Sequence, residues 1–185
     1  MSTLSIVRLG HPALRTPANP IDLKRLAESE YQDLIDNMLE IMQAEGGVGL
    51  AAPQVGILEQ LIVYANVDPD AEFQTRPELK VLVNPMIVPE GREMVYDWEG
   101  CLSIPDLRGL VPRHPAVRVH GFDRHGQRLD YPADGYEARI VQHEFDHLNG
   151  VVFLDRMRDL RSLSFAAEWE EYMISDEGDE GVAVG

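Results

Sequence analysis

Two histidines and a glutamate in the second half of the chain have the spacing of a metal site on a helix. They are His143, Glu144 and His147, in the segment HEFDH. At about 100° per residue, the first and fifth positions lie about 40° apart on one helix face, so both imidazoles can reach the same ion. Glu144 lies beside them, where its carboxylate can accept a proton from a water molecule. The pattern therefore predicts a catalytic metal site.

The third metal ligand is not fixed by this motif. A catalytic site needs a third protein ligand and an open position for water. The longer pattern HExxHxxGxxH fits as far as Gly150, but its last position is Phe153, which cannot bind a metal. One alternative is the single cysteine, Cys101. The other is a downstream glutamate, and three are available: Glu168, Glu170 and Glu171.

These alternatives imply different functions. A glutamate ligand would indicate a zincin-type peptidase in which Cys101 is free. A site closed by a fourth protein ligand would indicate a binding domain that the metal stabilises. The two histidines could also form a satisfied pair in the core without any metal.

The sequence predicts three helices, the first of them from apolar residues at helical spacing. The first covers residues 23–45, the second covers 134–149 and carries the histidine motif, and the third lies near 160–173. Residues 175–185 follow the last helix as an acidic tail.

Several residues mark where these helices begin and end. Gly46 and Gly47 terminate the first helix. Asp134 and Glu137 have the spacing of a capping box at the start of the second, and Gly150 follows its end.

Four strands are predicted between the helices. They cover residues 61–65, 80–88, 116–122 and 127–131. A turn at 123–126 joins the last two, and Pro85 predicts a break or an edge position. The segment 46–56, GGVGLAAPQVG, is too rich in glycine for a helix, and its side chains are too small for a core strand. Because helices and strands do not alternate regularly, the fold class is α+β.

Charge and composition exclude several classes of function. The chain has 32 acidic and 16 basic residues, so its net charge is −16 and it repels phosphate backbones and anionic lipid. We therefore expect no direct DNA binding and no membrane association. No apolar run approaches a membrane span, and the N-terminal segment lacks a secretory signal, so a cytoplasmic protein is expected. A single cysteine cannot form an internal disulfide.

Three segments together resemble the peptide deformylase family. They are GVGLAAPQ at residues 47–54, EGCLS at 99–103 and QHEFDHLNG at 142–150. The resemblance covers roughly residues 4–160. It implies mixed, mainly antiparallel sheets packed around a central helix that carries the HExxH motif. The expected organisation is a catalytic region over 1–160, with 161–185 as a C-terminal helix and acidic tail of the same domain.

The resemblance also implies roles for individual residues. Cys101, His143 and His147 would bind one divalent metal ion. The family usually works with Fe²⁺, and Zn²⁺, Ni²⁺ and Co²⁺ are alternatives. The side chain of Gln54 and the backbone N–H of Leu102 would bind an oxyanion. Glu144 would be the proton shuttle.

The implied reaction removes the formyl group from N-formylmethionyl nascent peptides and releases formate. The peptide would lie as an extended strand against Val48, Gly49 and Gly100. Arg108 would help hold the active-site framework and face the peptide end of the substrate. The methionine side chain would enter a pocket whose lining is Val48, Tyr136, Ile140 and His143.

The C-terminal region departs from the family pattern. In well-known bacterial relatives a basic C-terminal helix docks on the ribosome, whereas residues 160–185 here hold seven acidic residues and one basic residue. Ribosome association through a basic helix is therefore not expected.

Overall fold

The computed structural model describes residues 4–67 and 77–173, and within these ranges the chain forms eight strands and three α-helices. The strands are β1 (Gly49–Ala51), β2 (Leu61–Asn66), β3 (Glu78–Pro89), β4 (Val95–Cys101), β5 (Ile104–Arg113), β6 (Ala116–Phe122), β7 (Arg128–Asp134) and β8 (Ser164–Phe165). The helices are α1 (Ser29–Ala44), α2 (Gly135–Leu148) and α3 (Ala166–Tyr172). The predicted tail at 175–185 lies outside the described residues.

The strands form two antiparallel sheets. One has five strands in the order β1-β2-β3-β6-β7, and the other has three in the order β4-β5-β8. Helix α2 packs on the five-stranded sheet, and ion pairs join it to β4 and β5 on its other side. Most of its residues are buried. The predicted α+β fold with a central motif-bearing helix is confirmed.

Strand β2 explains why the core lies on both faces of the larger sheet. Leu61 and Val63 pack in the cluster that contains α1, whereas Ile62 and Tyr64 pack in the cluster that contains α2. Successive side chains of a strand point to opposite faces, so a strand covered on both sides needs apolar residues at every position. The continuous run LIVYA is therefore the sequence of a strand between two helices.

Two predicted helices are shorter in the structure. The first begins at Ser29, because the Asp22 carboxylate accepts a hydrogen bond from the Lys24 N–H and caps a separate 3₁₀ turn at Leu23–Arg25. The third begins only at Ala166, because Ser164–Phe165 pairs with β5 as a strand.

The ends of α2 match the prediction only in part. Gly150 has a φ of +72°, which suits a glycine after a helix end. Asp134 is the N-cap residue, but its side chain makes no capping hydrogen bond. The predicted capping box is wrong because the Glu137 carboxylate instead accepts hydrogen bonds from Tyr64 Oη at 2.7 Å and Lys80 Nζ at 2.9 Å.

Two strand predictions also need correction. Gly49–Ala51 is a buried core strand, since it pairs with β2 although its side chains are small. Pro85 is not at an edge, because β3 lies between β2 and β6, but the β3–β6 register shifts between Val83 and Met86, so a break is present. No helix in the described ranges is long and apolar enough to cross a membrane.

Candidate active site

One thiol and two imidazoles converge at the inner face of α2. The ligand atoms of Cys101, His143 and His147 all lie within 4.8 Å of one another, and Cys101 Sγ is 3.3 Å from His147 Nε2. The helix supplies the histidines at the predicted spacing, and Cys101 ends β4. Within residues 4–67 and 77–173, no other group of three such side chains could share a metal ion. The three downstream glutamates lie on α3, outside this group.

The chemistry of these donors fits a divalent metal. A thiolate and two neutral imidazoles are ligands that Zn²⁺ and Fe²⁺ accept, with a fourth position left for water. Burial lowers the pKa of His147 well below its ordinary value, so this imidazole is in the neutral form that binds metals. Hydrogen bonds to Cys101 and Glu99 outweigh the effect of burial and raise the pKa of His143, and a proton held there is released when a metal binds.

Glu99 fixes the orientation of the first histidine. The Nδ1 atom of His143 lies 2.8 Å from Glu99 Oε2, so the other ring nitrogen, Nε2, is left for the metal. The guanidinium of Arg113 donates from Nε to Oε1 at 2.9 Å and from Nη2 to Oε2 at 3.0 Å. Burial alone would raise the pKa of Glu99, but the hydrogen bonds from His143 and Arg113 hold this pKa well below its usual range.

Arg113 extends this contact into a buried ionic network. Its Nη1 atom donates to Asp146 Oδ2 at 2.5 Å, and Arg156 Nε donates to the same carboxylate at 3.0 Å. Arg139 Nη1 donates to Glu99 Oε1 at 2.9 Å. The network therefore ties α2 to β4 and β5 around the two histidines. Sequence reasoning missed these residues; the only local signals were the position of Glu99 two residues before Cys101 and that of Asp146 inside HEFDH.

Replacing Arg113 by methionine should lower the free energy of unfolding by about 3–5 kcal/mol, because two buried carboxylates lose their shared partner. Chemical denaturation measures this loss. Arg118→Met is the matched control: its ion pair with Asp130 is 2.6 Å long but exposed to solvent, which screens the two charges, so the expected loss is much smaller. Equal losses in the two variants would contradict a structural role for the network.

The glycine-rich segment 46–56 places the side-chain amide of Gln54 next to Cys101. Gln54 lies in a 3₁₀ turn, Ala52–Val55, and its Oε1 accepts a hydrogen bond from the Ala51 N–H at 2.8 Å. Its Nε2 is thereby directed toward Cys101 Sγ at 3.5 Å and Ser103 Oγ at 3.4 Å. The amide N–H₂ group thus stands at the metal-binding cluster as a donor.

Glu144 is buried against Gly49. The residue is 4% exposed, and its Oε2 atom has no hydrogen-bond partner among the described residues. A Cβ atom at Gly49 would lie 2.8 Å from the Cδ atom of Glu144, so only glycine leaves room for this carboxylate. Burial raises the pKa of Glu144 to about 7, which suits a group that takes up and returns a proton near neutral pH.

A cleft of about 1310 Å³ opens onto these groups. Gly47 and Val48 line it, and so do the last five residues of β4. All the residues predicted to bind substrate line it: Val48, Gly49, Gly100, Arg108, Tyr136 and Ile140. The cleft also contains Gln54, Leu102 and Glu144, while the buried His147 lies behind it. The structure brings these residues together, and their individual roles stay predictions.

Comparisons with known proteins point in one direction. A family model described as polypeptide deformylase matches residues 3–162. Peptide deformylase 1 of Bordetella pertussis is 44% identical over 165 residues, which cover 87% of this chain and 91% of the relative. Peptide deformylase 1 of Nitrosomonas europaea is 40% identical over 164 residues, covering 86% and 90%.

Solved structures give the same result. The class I type b peptide deformylase of Acinetobacter baumannii bound to Met-Ala-Ser superposes with a TM-score of 0.76 at 37% identity, covering 85% of this chain and all of that chain. A plant peptide deformylase superposes with a TM-score of 0.77 at 35% identity, covering 96% and 91%.

Proposed function

Since the chain belongs to the polypeptide deformylase family of hydrolases, which remove N-formyl groups from nascent peptides, we propose that Cys101, His143 and His147 hold the metal ion for this reaction. The observation that carries the proposal is their convergence within 4.8 Å beside the buried carboxylate of Glu144. The family depends on a metal, and the proposed ion is Fe²⁺, with Zn²⁺, Ni²⁺ and Co²⁺ compatible with the same donors. When bound, a divalent ion supplies Lewis acidity, which lowers the pKa of water and polarises a carbonyl.

The remaining groups handle protons and developing charge. Glu144 takes a proton from the attacking water and passes it to the leaving nitrogen. The oxygen of water bonds to the formyl carbon, the C–N bond breaks, and formate and a free amine result. Gln54 Nε2 and the Leu102 backbone N–H donate to the oxyanion that forms at the formyl oxygen.

The walls of the cleft position the peptide. We place an N-formylmethionyl peptide as an extended strand between Val48–Gly49 and Gly100, where small residues allow close backbone approach. The methionine side chain enters a pocket whose lining is Val48, Tyr136, Ile140 and His143. Arg108 faces the peptide end of the substrate and helps hold the active-site framework; in support of the second role, its side chain lies over Gly100, where a Cβ atom would be 2.7 Å from Cζ.

Several wider properties belong to the same proposal. The net charge of −16 supports a protein that does not bind DNA directly. Any ribosome association would not use a basic C-terminal helix, because the described part of that helix is acidic. Residues 161–185 are proposed to belong to the catalytic domain, supported by the pairing of β8 with β5. We further propose a cytoplasmic location.

Substrate choice tests the function. Formyl-Met-Ala-Ser should be cleaved, and acetyl-Met-Ala-Ser should react at least about 10²-fold more slowly, because the acetyl methyl group displaces the carbonyl from its donors. The assay measures released formate and new amine, with an unblocked longer peptide in parallel. Equal rates on formyl and acetyl peptides, or internal cleavage without formate, would reject a deformylase in favour of a peptidase.

A further inference from the structure

The two proposed oxyanion donors belong to short connecting elements from different parts of the chain. Gln54 lies in the 3₁₀ turn Ala52–Val55, whereas Leu102 and Ser103 form the two-residue turn of the β4–β5 hairpin. A 3₁₀ turn has poorer hydrogen-bond geometry than an α-helix, and a turn is more mobile than the strands that it joins. Two donors that must both lie about 3 Å from one oxyanion therefore need additional support.

Residues 4–10, which we call the N-terminal strap, hydrogen-bond to both turns. The Val7 N–H donates to the backbone carbonyl oxygen of Gln54 at 2.8 Å, and the Leu9 N–H donates to that of Ser103 at 2.9 Å. Among the described residues, no backbone hydrogen bond joins the two turns directly. The strap is therefore the backbone connection between them.

The strap also limits the distance between the two turns. Val7 and Leu9 are alternate residues, so at most about 7 Å of chain separates their N–H groups. The 3₁₀ turn Pro12–Arg15, which follows the strap, packs on the turn that carries Gln54. Ile6, at the other end, packs on the core cluster that contains α1. Because the strap is held at both ends, neither turn can move away without breaking one of its hydrogen bonds.

We propose that the N-terminal strap positions the two oxyanion donors, the Val7 N–H through Gln54 and the Leu9 N–H through the turn that contains Leu102. The Leu102 N–H has no acceptor among the described residues, so it is available to the oxyanion. Because the oxyanion forms only in the transition state, a displaced donor lowers kcat and leaves KM nearly unchanged. The inference rests on the proposed function, from which it takes the roles of Gln54 and Leu102.

Proline substitutions remove one hydrogen bond of the strap at a time. In the metal-loaded enzyme, Val7→Pro and Leu9→Pro should each lower kcat for formyl-Met-Ala-Ser by about 10- to 100-fold, with KM changed less than about twofold. Ser5→Pro is the matched control and should change neither constant, because the Ser5 N–H has no partner among the described residues. Replacing Val7 by its α-hydroxy acid analogue removes the same N–H without a proline ring, and it should also lower kcat.

A double-mutant cycle separates positioning from general damage. Gln54→Ala removes the donor that Val7 positions, so adding Val7→Pro to it should lower kcat by less than about a further twofold. Leu9→Pro acts through the other turn and should keep most of its effect in the same background. Full multiplication of the Val7→Pro and Gln54→Ala effects, or a raised KM with kcat unchanged, would overturn the proposal.

The side-chain amide of Gln54 gives a measurement that does not depend on activity. In isotope-labelled, zinc-loaded protein, the NMR signals of its two N–H groups are identified by their absence from Gln54→Ala. These signals should shift in Val7→Pro and in the α-hydroxy acid analogue but not in Ser5→Pro, and unchanged signals in Val7→Pro would overturn the role of the strap. If the wild-type enzyme releases no formate, or if Gln54→Ala keeps its full rate, the proposed function fails instead, and the amide signals still decide whether the strap positions Gln54.

Discussion

Replacing Cys101 by alanine is expected to remove the bound metal and to lower turnover of formyl-Met-Ala-Ser by on the order of 10³-fold, because the ion contributes several kcal/mol to the transition state. The thiolate is the one anionic donor in the cluster, and the two imidazoles that remain come from a single helix face. Metal analysis of protein purified anaerobically measures the loss directly, and it also identifies the ion that the wild-type protein carries.

Controls for Cys101 come from the alternative third ligands. Glu168→Gln and Glu170→Gln change exposed residues of α3, so both variants should keep full metal content and rate. Cys101→Ser retains nearly the same volume with a weaker donor, which separates loss of the ligand from a packing defect. A Cys101→Ala protein that keeps its metal and full rate would contradict the proposed ligand set.

Elements with strong local signals were predictable from the sequence. Helix α2 carries apolar residues at helical spacing and ends before Gly150, and its two histidines lie on one face for the same geometric reason. Strand β2 is a continuous apolar run. In these segments the spacing of apolar residues along the helix or strand predicts which side chains are buried. A short stretch of sequence is therefore enough to predict the element.

Strand β1 was missed because its side chains carry no signal. Gly49 lies in a strand through its register with Tyr64, and its missing side chain is what leaves room for Glu144. Both facts depend on residues far along the chain. A strand of small residues, packed where a backbone and a side chain come close together, therefore resembles a loop when only its local sequence is considered.

The ionic network was hidden for a different reason. Glu99 and Arg113, like Asp146, are charged residues, and charged residues are normally exposed unless they are paired. Their partners lie 14 and 33 residues apart in sequence, so no local pattern identifies the pairs. Glu99 lies in β4 and Arg113 ends β5, and neither strand was predicted, because both contain several charged residues and lack a regular apolar alternation.

Glu144→Gln should reduce turnover by about 10²–10⁴-fold while the metal stays bound, because the amide keeps the shape of the carboxylate but cannot take up a proton. Glu144→Ala should lose at least about 10²-fold for the same reason. Neither change removes a proposed ligand, so metal content should equal that of the wild type. Steady-state kinetics at pH 7 and metal analysis on the same preparations measure the two effects.

Stability provides a second expectation for Glu144→Gln. The carboxylate is almost fully buried and its Oε2 lacks a partner among the described residues, so the folded protein gains little from this charge. The free energy of unfolding should therefore stay the same or rise, which is the opposite of the result expected for Arg113→Met. Glu45→Gln, at the exposed rim of the same cleft, should keep its rate within about twofold, because a carboxylate at this position holds no reacting atom. A Glu144→Gln enzyme with near-normal turnover would show that another group moves the proton, since the amide cannot.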